Sequence, residues 1–331
     1  MATTKPGGLL TSQGQFSYKV PPPALPRAAV LMSYWYMRDV DVGEFCRKAF
    51  TEPYPYIFCD SGAFTAFTQG KPIDVDAYAD FLHQWKHLFT AYASLDVKGD
   101  VDAGLKNLAR LESKGLRPLP VFHGGEPWSV LKDMIVDYSY IALGGIAKAK
   151  GTDSTLLKRW LNHAFGLASG KSVFHGFGIT SLSALVGYPW YSADSTTWLS
   201  LNRYGHGPIF DHRSHQFVEC WLRSKDWHNY SGMIRSYGFD PNLFHDPEKY
   251  HSSIAVALSA RSFQTANGYL RTIRSLVPIA GDTQAPLGPI IYLSDSTVKF
   301  LSIADRTFKN WQTGRPALDG ISRPERKTHA Q

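Results

Sequence analysis

Three aspartates stand at the ends of strand-like runs: Asp60 in Phe58-Cys59-Asp60-Ser61-Gly62-Ala63-Phe64, Asp96 in Ser94-Leu95-Asp96-Val97, and Asp194 in Ser192-Ala193-Asp194-Ser195-Thr196. Carboxylates gathered in this way suit chemistry at a glycosidic bond. One attacks the anomeric carbon while another handles a proton, and their separation decides the stereochemistry. Taken singly, each aspartate also has a plainer reading as a helix N-cap or turn former. His123 in Val121-Phe122-His123-Gly124-Gly125 adds a fourth polar strand end, equally suited to ligand contact and to a structural hydrogen bond. Two more strand ends are glycine-rich, Ala142-Leu143-Gly144-Gly145-Ile146 and His175-Gly176-Phe177-Gly178-Ile179. Glycine there lets a flat ligand approach the backbone closely, and plain tight turns use it too.

The elements that must position these residues alternate strand-like runs with helical patterns, the signature of a parallel sheet in an α/β protein. The strand candidates are Ala29–Tyr34, Tyr56–Asp60, Ala91–Asp96, Arg117–His123, Tyr140–Gly145, Val173–Ile179 and Trp190–Asp194, with Pro208–Asp211 a weaker eighth. Helical spacing joins Tyr78, Phe81, Leu82, Trp85, Leu88 and Phe89, and again Leu156, Leu157, Trp160, Leu161, Ala164 and Phe165. Pro127 suits a first helical turn, Gly115 a helix C-terminus and Thr180 an N-cap. Seven or eight such units, with no G-x-G-x-x-G after the first strand, favour a modified TIM-type (β/α)8 barrel over a doubly wound sheet. Its active site would lie at the C-terminal strand ends.

The barrel is expected over residues 29–308. The Pro-, Gly- and Ser-rich residues 1–28, including Pro21-Pro22-Pro23, read as an extended N-terminal arm. Residues 309–331 carry Lys309, Arg315, Arg323, Arg326 and Lys327 against Asp319 and Glu325, and read as a flexible basic tail. No apolar stretch reaches the roughly 20 residues of a membrane span, the longest lying near Ala28 to Met37. No secretory signal opens the chain, so a cytoplasmic location is expected. Cys46, Cys59 and Cys220 lack metal-ligand or disulfide spacing and read as buried or idle thiols, with no metal or other cofactor implied. The net charge of +7 would attract a polyanion without proving one.

The ordered series of segments resembles the tRNA-guanine transglycosylase family over most of Asp60 to Val277. The family's Asp-Ser-Gly-Gly-Phe/Tyr-Gln motif is matched by Asp60-Ser61-Gly62-Ala63-Phe64-Thr65, its later aspartate by Asp96 and its Gln-Gly by His123-Gly124. Ala-x-Gly-Gly-Leu is matched by Ala142-Leu143-Gly144-Gly145-Ile146, and Met-Gly-x-Gly by His175-Gly176-Phe177-Gly178. Asp194 falls at the nucleophile position, and Arg203-Tyr204-Gly205-His206-Gly207 resembles the Arg-x-Gly-Arg-x-Gly segment after it.

The resemblance implies that Asp194 attacks C1′ of the nucleoside, with Asp60 as general acid/base and Asp96 accepting from the guanine edge. Gly145 and Ile146 would meet the purine through their backbone, and Phe64 would stack on it. Ser61, His123, Gly144, His175 and Gly176 would complete the base site.

Departures narrow the expectation. The family's C-terminal zinc motif is missing, with only Cys220 in that region. His123 and His175 replace Gln and Met, and Lys150 stands where bacterial members keep a Glu that senses the 7-substituent. A shortened, zinc-less member is similar to the DpdA group, which inserts 7-deazaguanines such as preQ0 into DNA in phages and bacterial modification systems. DNA, a free 7-deazaguanine base and accessory DNA-modification proteins are therefore the implied partners, with Arg203, Lys148, Lys150, Arg213 and Arg223 on phosphates. Three alternatives stay open: a tRNA enzyme without its zinc lobe, a non-catalytic nucleic-acid-binding subunit, and a hydrolase that uses water.

Overall fold

Period-two alternation assigns the inner and outer faces of each strand, because successive side chains point to opposite sides of a sheet. A computed structural model describes residues 9–10, 16–17 and 25–321, leaving out 146–153, 180, 247–248, 275–287 and 296–297. Its strands are β1 (Leu9–Leu10), β2 (Phe16–Ser17), β3 (Ala29–Ser33), β4 (Tyr56–Asp60), β5 (Ala91–Tyr92), β6 (Val121–His123), β7 (Tyr140–Gly144), β8 (Val173–Gly176), β9 (Ser192–Ser195), β10 (His206–Asp211), β11 (Gln216–Trp221) and β12 (Ile290–Ser294). Eight of them form one parallel sheet in the order β5-β4-β3-β12-β9-β8-β7-β6. A parallel bridge between Ala93 and Leu119 joins its two edges, giving the expected (β/α)8 barrel a thin seam between β5 and β6.

Alternate residues divide into two cores. Leu31, Phe58, Ala91, Leu119, Tyr140, Ile290 and Tyr292 cluster with one another. Their neighbours Val30, Ile57, Phe122, Ile141, Phe174, Ala193 and Ile291 pack instead with Tyr78, Leu82, Leu111, Leu131 and Leu161 of the surrounding helices. Each fully buried large side chain contributes on the order of 1.5–3 kcal/mol, so this two-sided burial is what forces runs of apolar residues in parallel strands.

The helices start and stop for local reasons. Asp74 Oδ1 accepts from the N–H groups of Asp76 and Ala77 at 2.7 and 3.0 Å, opening the helix Val75–Trp85. The helix Val101–Ser113 ends just before Gly115, whose φ of +76° favours glycine. Pro127 precedes the helix Trp128–Asp137 as its N-cap. Thr180 lies outside the described residues, and Ser181 caps the helix Leu182–Gly187 instead. In the helix Ser154–Ala168, Leu161 and Ala164 are buried as the spacing predicts, but Leu156 is exposed.

Three expectations need correction. Pro208–Asp211 belongs not to the barrel but to an antiparallel ribbon of β10 with β11, and the eighth barrel strand is β12. Between β9 and β12 the chain inserts this ribbon and the helix Ser252–Ile273. One face of that helix, with Val256, Ala260 and Phe263, joins the core around the barrel, while Ile254, Ala257 and Leu258 pack with Ile209 and Cys220 of the ribbon. Packed on both sides, the helix also buries polar residues such as Arg261, which donates to the Tyr237 carbonyl, and Asn267, which accepts from the Ile291 N–H.

The flexible tail does not begin at residue 309. The helix Leu301–Gln312 runs through that position, with Phe308 in the barrel-floor cluster and Trp311 and Ala317 in the ribbon cluster. Lys309 pairs with the buried Asp305 at 3.0 Å, and Asn310 Nδ2 donates to the Asp319 carbonyl at 2.8 Å. Residues 322–331 lie outside the described residues. The arm over 1–28 is not wholly extended either: β1 pairs antiparallel with β2, and Leu25 and Ala28 are buried beneath the barrel. All three cysteines are buried free thiols. Among the described residues no helix is long and apolar enough to cross a membrane.

Candidate active site

The period that places Phe58 inside places Asp60 inside one layer higher, at the C-terminal end of β4. The same step of two carries Val121 to His123 on β6, Val173 to His175 on β8 and Ser192 to Asp194 on β9. Asp96 follows β5 by four residues and reaches the same rim by way of the loop. Asp60, Asp96, His123, Gly144 and Asp194 therefore surround one end of the barrel, where active sites of this architecture lie.

Asp60 accepts from the Gly62 N–H at 3.0 Å. Gly62 has φ +76°, and a Cβ there would sit 2.5 Å from Cβ of Trp35, so only glycine gives this turn. Burial, followed by repulsion from Asp96 and Asp194, pushes the Asp60 carboxyl up to about 7, against the lowering effect of the Gly62 and Ser61 N–H groups. At neutral pH it is thus poised between acid and base. Asp194 is 6% exposed and its Oδ1 accepts from the Gly178 N–H at 2.7 Å.

His123 is held from both sides. Its Nε2 lies 3.1 Å from Asp96 Oδ2 and its Nδ1 3.2 Å from Glu126 Oε1, while its backbone N–H donates to Glu126 Oε2 at 3.0 Å. Burial pulls its pKa down, but the two carboxylates outweigh that and raise it to about 9, so the ring is an imidazolium at neutral pH. Gly144 makes room for it: a Cβ there would come within 2.9 Å of Cδ2 and Nε2 of the ring. Gly145, at φ +71°, turns the chain away beside it.

Other expected residues sit elsewhere. Ser61 is fully buried, and its hydroxyl accepts from the Ala63 N–H at 3.3 Å, so it shapes the turn rather than the mouth. His175 is fully buried beneath Asp194, stacked on Phe58 at 4.5 Å. Gly176 serves packing, since a Cβ there would meet Ile179 and Trp190 at 2.6 and 2.7 Å. Phe64 is 60% exposed, beside the exposed Phe67, with Lys98 Nζ over both rings. A groove between Phe67, Pro72, Leu95, Asp96 and Lys98 adjoins them. Arg203 and Arg213 are exposed on the insertion, Arg213 with Nε 3.4 Å from Asp211, and Arg223 lies over the Tyr250 ring. Ile146, Lys148 and Lys150 lie outside the described residues.

Glu126, Tyr140, Ser192 and Gly178 were not singled out in the sequence. Spacing held a trace of two of them: Glu126 follows His123 by three residues, and Ser192 precedes Asp194 by two on the inward face. No family model matches the chain, and no curated protein matches its sequence.

Proposed function

We propose that the chain is a base-exchange transglycosylase that replaces guanine in DNA with a 7-deazaguanine such as preQ0. The observation that carries this reading is the convergence of an anchored carboxylate, Asp194, with a second, Asp60, whose pKa sits at about 7. A pKa raised into the neutral range lets Asp60 hand over and take back a proton, which leaves the attacking oxygen to Asp194.

In the first half-reaction a carboxylate oxygen of Asp194 attacks C1′. The C1′–O bond forms as C1′–N9 breaks, and the electron pair leaves with the guanine, which takes a proton from Asp60. In the second, Asp60 accepts the N9 proton of the incoming 7-deazaguanine, whose N9 attacks C1′ and expels the Asp194 carboxylate. Two inversions give net retention and ping-pong kinetics. Asp96 offers an acceptor at the rim to the N–H groups of a purine edge, and His123, whose two ring N–H groups are taken by Asp96 and Glu126, holds that carboxylate in place. A base within a duplex must first be flipped out, at a cost of about a few kcal/mol.

The test is release of labelled guanine from DNA, and separately from tRNA, upon addition of preQ0. Release from DNA supports the proposal, release from tRNA alone transfers it to the tRNA enzymes, and release without added base makes the chain a hydrolase.

A further inference from the structure

A buried polar chain runs up the barrel interior to Asp194. The Tyr140 hydroxyl lies 2.6 Å from Ser192 Oγ, which lies 2.7 Å from His175 Nδ1. The other ring nitrogen, Nε2, is buried without a hydrogen-bond partner and sits 3.6 Å from Asp194 Oδ1. Phe58 and Phe177 wall the imidazole, stacked at 4.5 Å and edge-on at 4.6 Å.

We propose that Tyr140 and Ser192 fix one tautomer of His175, making it a positioning residue that aims an N–H at Asp194. This rests on the reading of Asp194 as nucleophile.

The direction of the chain follows from its upper end. An ionised carboxylate accepts only, so an Nε2 lone pair facing it would be repelled, whereas an Nε2–H is attracted. A proton on Nε2 leaves Nδ1 as acceptor in the neutral ring. Ser192 then donates to Nδ1, and its oxygen accepts from Tyr140. Burial lowers the His175 pKa, against the pull of Asp194, which favours the neutral ring that this arrangement requires. The separation of 3.6 Å is just beyond hydrogen-bond range, so the N–H orients the carboxylate electrostatically and is available to close on it. Its use comes in the second half-reaction, when Asp194 must leave C1′ as a carboxylate: a donor waiting beside Oδ1 stabilises the charge as it reappears. The chain's inward-facing positions, two residues apart on β9, make this a property of the barrel and not of a mobile loop.

The first readout needs no activity. Ring-15N spectra of full-length protein labelled at histidine, at neutral pH, are expected to show His175 protonated at Nε2 and bare at Nδ1. His175→Asn assigns the resonance, and if that variant does not fold, the resonance that moves in Ser192→Ala assigns it. Ser192→Ala is expected to mix the tautomers and Tyr140→Phe to do so less. In exchange assays Ser192→Ala should lengthen the life of the covalent adduct by about tenfold, the loss of a hydrogen bond to a charged group, with KM for the nucleic acid unchanged. A merely structural role would lower Tm and leave adduct lifetime alone. An Nδ1–H tautomer in the wild type, or a folded Ser192→Ala with unchanged tautomer and adduct lifetime, overturns the proposal. Wild-type protein with the expected tautomer but no exchange would instead overturn the transglycosylase reading and leave the relay standing.

Discussion

His123 Nε2 lies 3.1 Å from Asp96 Oδ2 directly above the bridge between Ala93 and Leu119 that closes the barrel. Asp96 follows β5 and His123 ends β6, so the ion pair spans the seam that the backbone closes with little else. The same two groups stand at the rim of the candidate site, beside that seam.

That pairing makes stability depend on pH. A histidine whose pKa rises from 6.5 to about 9 on folding contributes stability that is complete below 6.5 and lost as pH rises through 9. His123→Ala should therefore cost about 2–3 kcal/mol at pH 6 and much less at pH 10. Denaturant unfolding of both proteins at the two pH values measures this.

Asp60 works in the opposite sense. Its pKa is raised from 3.8 to about 7, so ionising it costs the folded state, and that cost is absent below 3.8 and complete above 7. Asp60→Asn should stabilise the protein by a few kcal/mol at pH 8, barely at pH 4, and reduce base exchange at least about a hundredfold. Thermal unfolding at both pH values, beside exchange rates, tests the two claims together.

Gly144 has its Cβ space filled by the His123 ring. Gly144→Ala forces the ring aside and should cost about 1–3 kcal/mol, with a rise in KM for the incoming base. Gly166→Ala, at a position with nothing near its Cβ, is the control. Chemical denaturation and steady-state kinetics of both variants provide the comparison.

Arg203 is exposed on the helix Ser200–Tyr204, just after β9. If it neutralises a phosphate, Arg203→Ala should weaken binding equally across DNA sequences and reduce the slope of log K against log salt by about 1. Fluorescence anisotropy across a salt series gives that slope.

Sequence revealed seven of the eight barrel strands because each carries an apolar run ending in a polar or glycine residue, as in Phe58-Cys59-Asp60 or Ala142-Leu143-Gly144. The eighth was misplaced because Pro208–Asp211 looks like another short strand. The true strand, Ile290-Ile291-Tyr292-Leu293-Ser294, lies beyond a long insertion, and its strand-end aspartate, Asp295, stands outside the run of segments that drew attention to the others. The tail boundary failed for a different reason: charge at Lys309 and Arg315 masked the helical spacing of Ala304, Phe308 and Trp311. Within the site, Asp60, Asp96, Asp194 and His123 were legible from strand-end placement. Glu126 and the Tyr140–Ser192–His175 chain were not, because they depend on which inward-facing residues of different strands meet across the barrel.

The central claim is a covalent bond between Asp194 and C1′. The most direct measurement stops the reaction with denaturant after mixing the protein with end-labelled DNA and preQ0, resolves the products on a denaturing gel, and locates the adduct by peptide mass analysis. The account predicts a labelled protein band in the wild type, carried by the peptide containing Asp194 and absent from Asp194→Ala. Guanine release without any adduct, or an adduct on another residue, would contradict it.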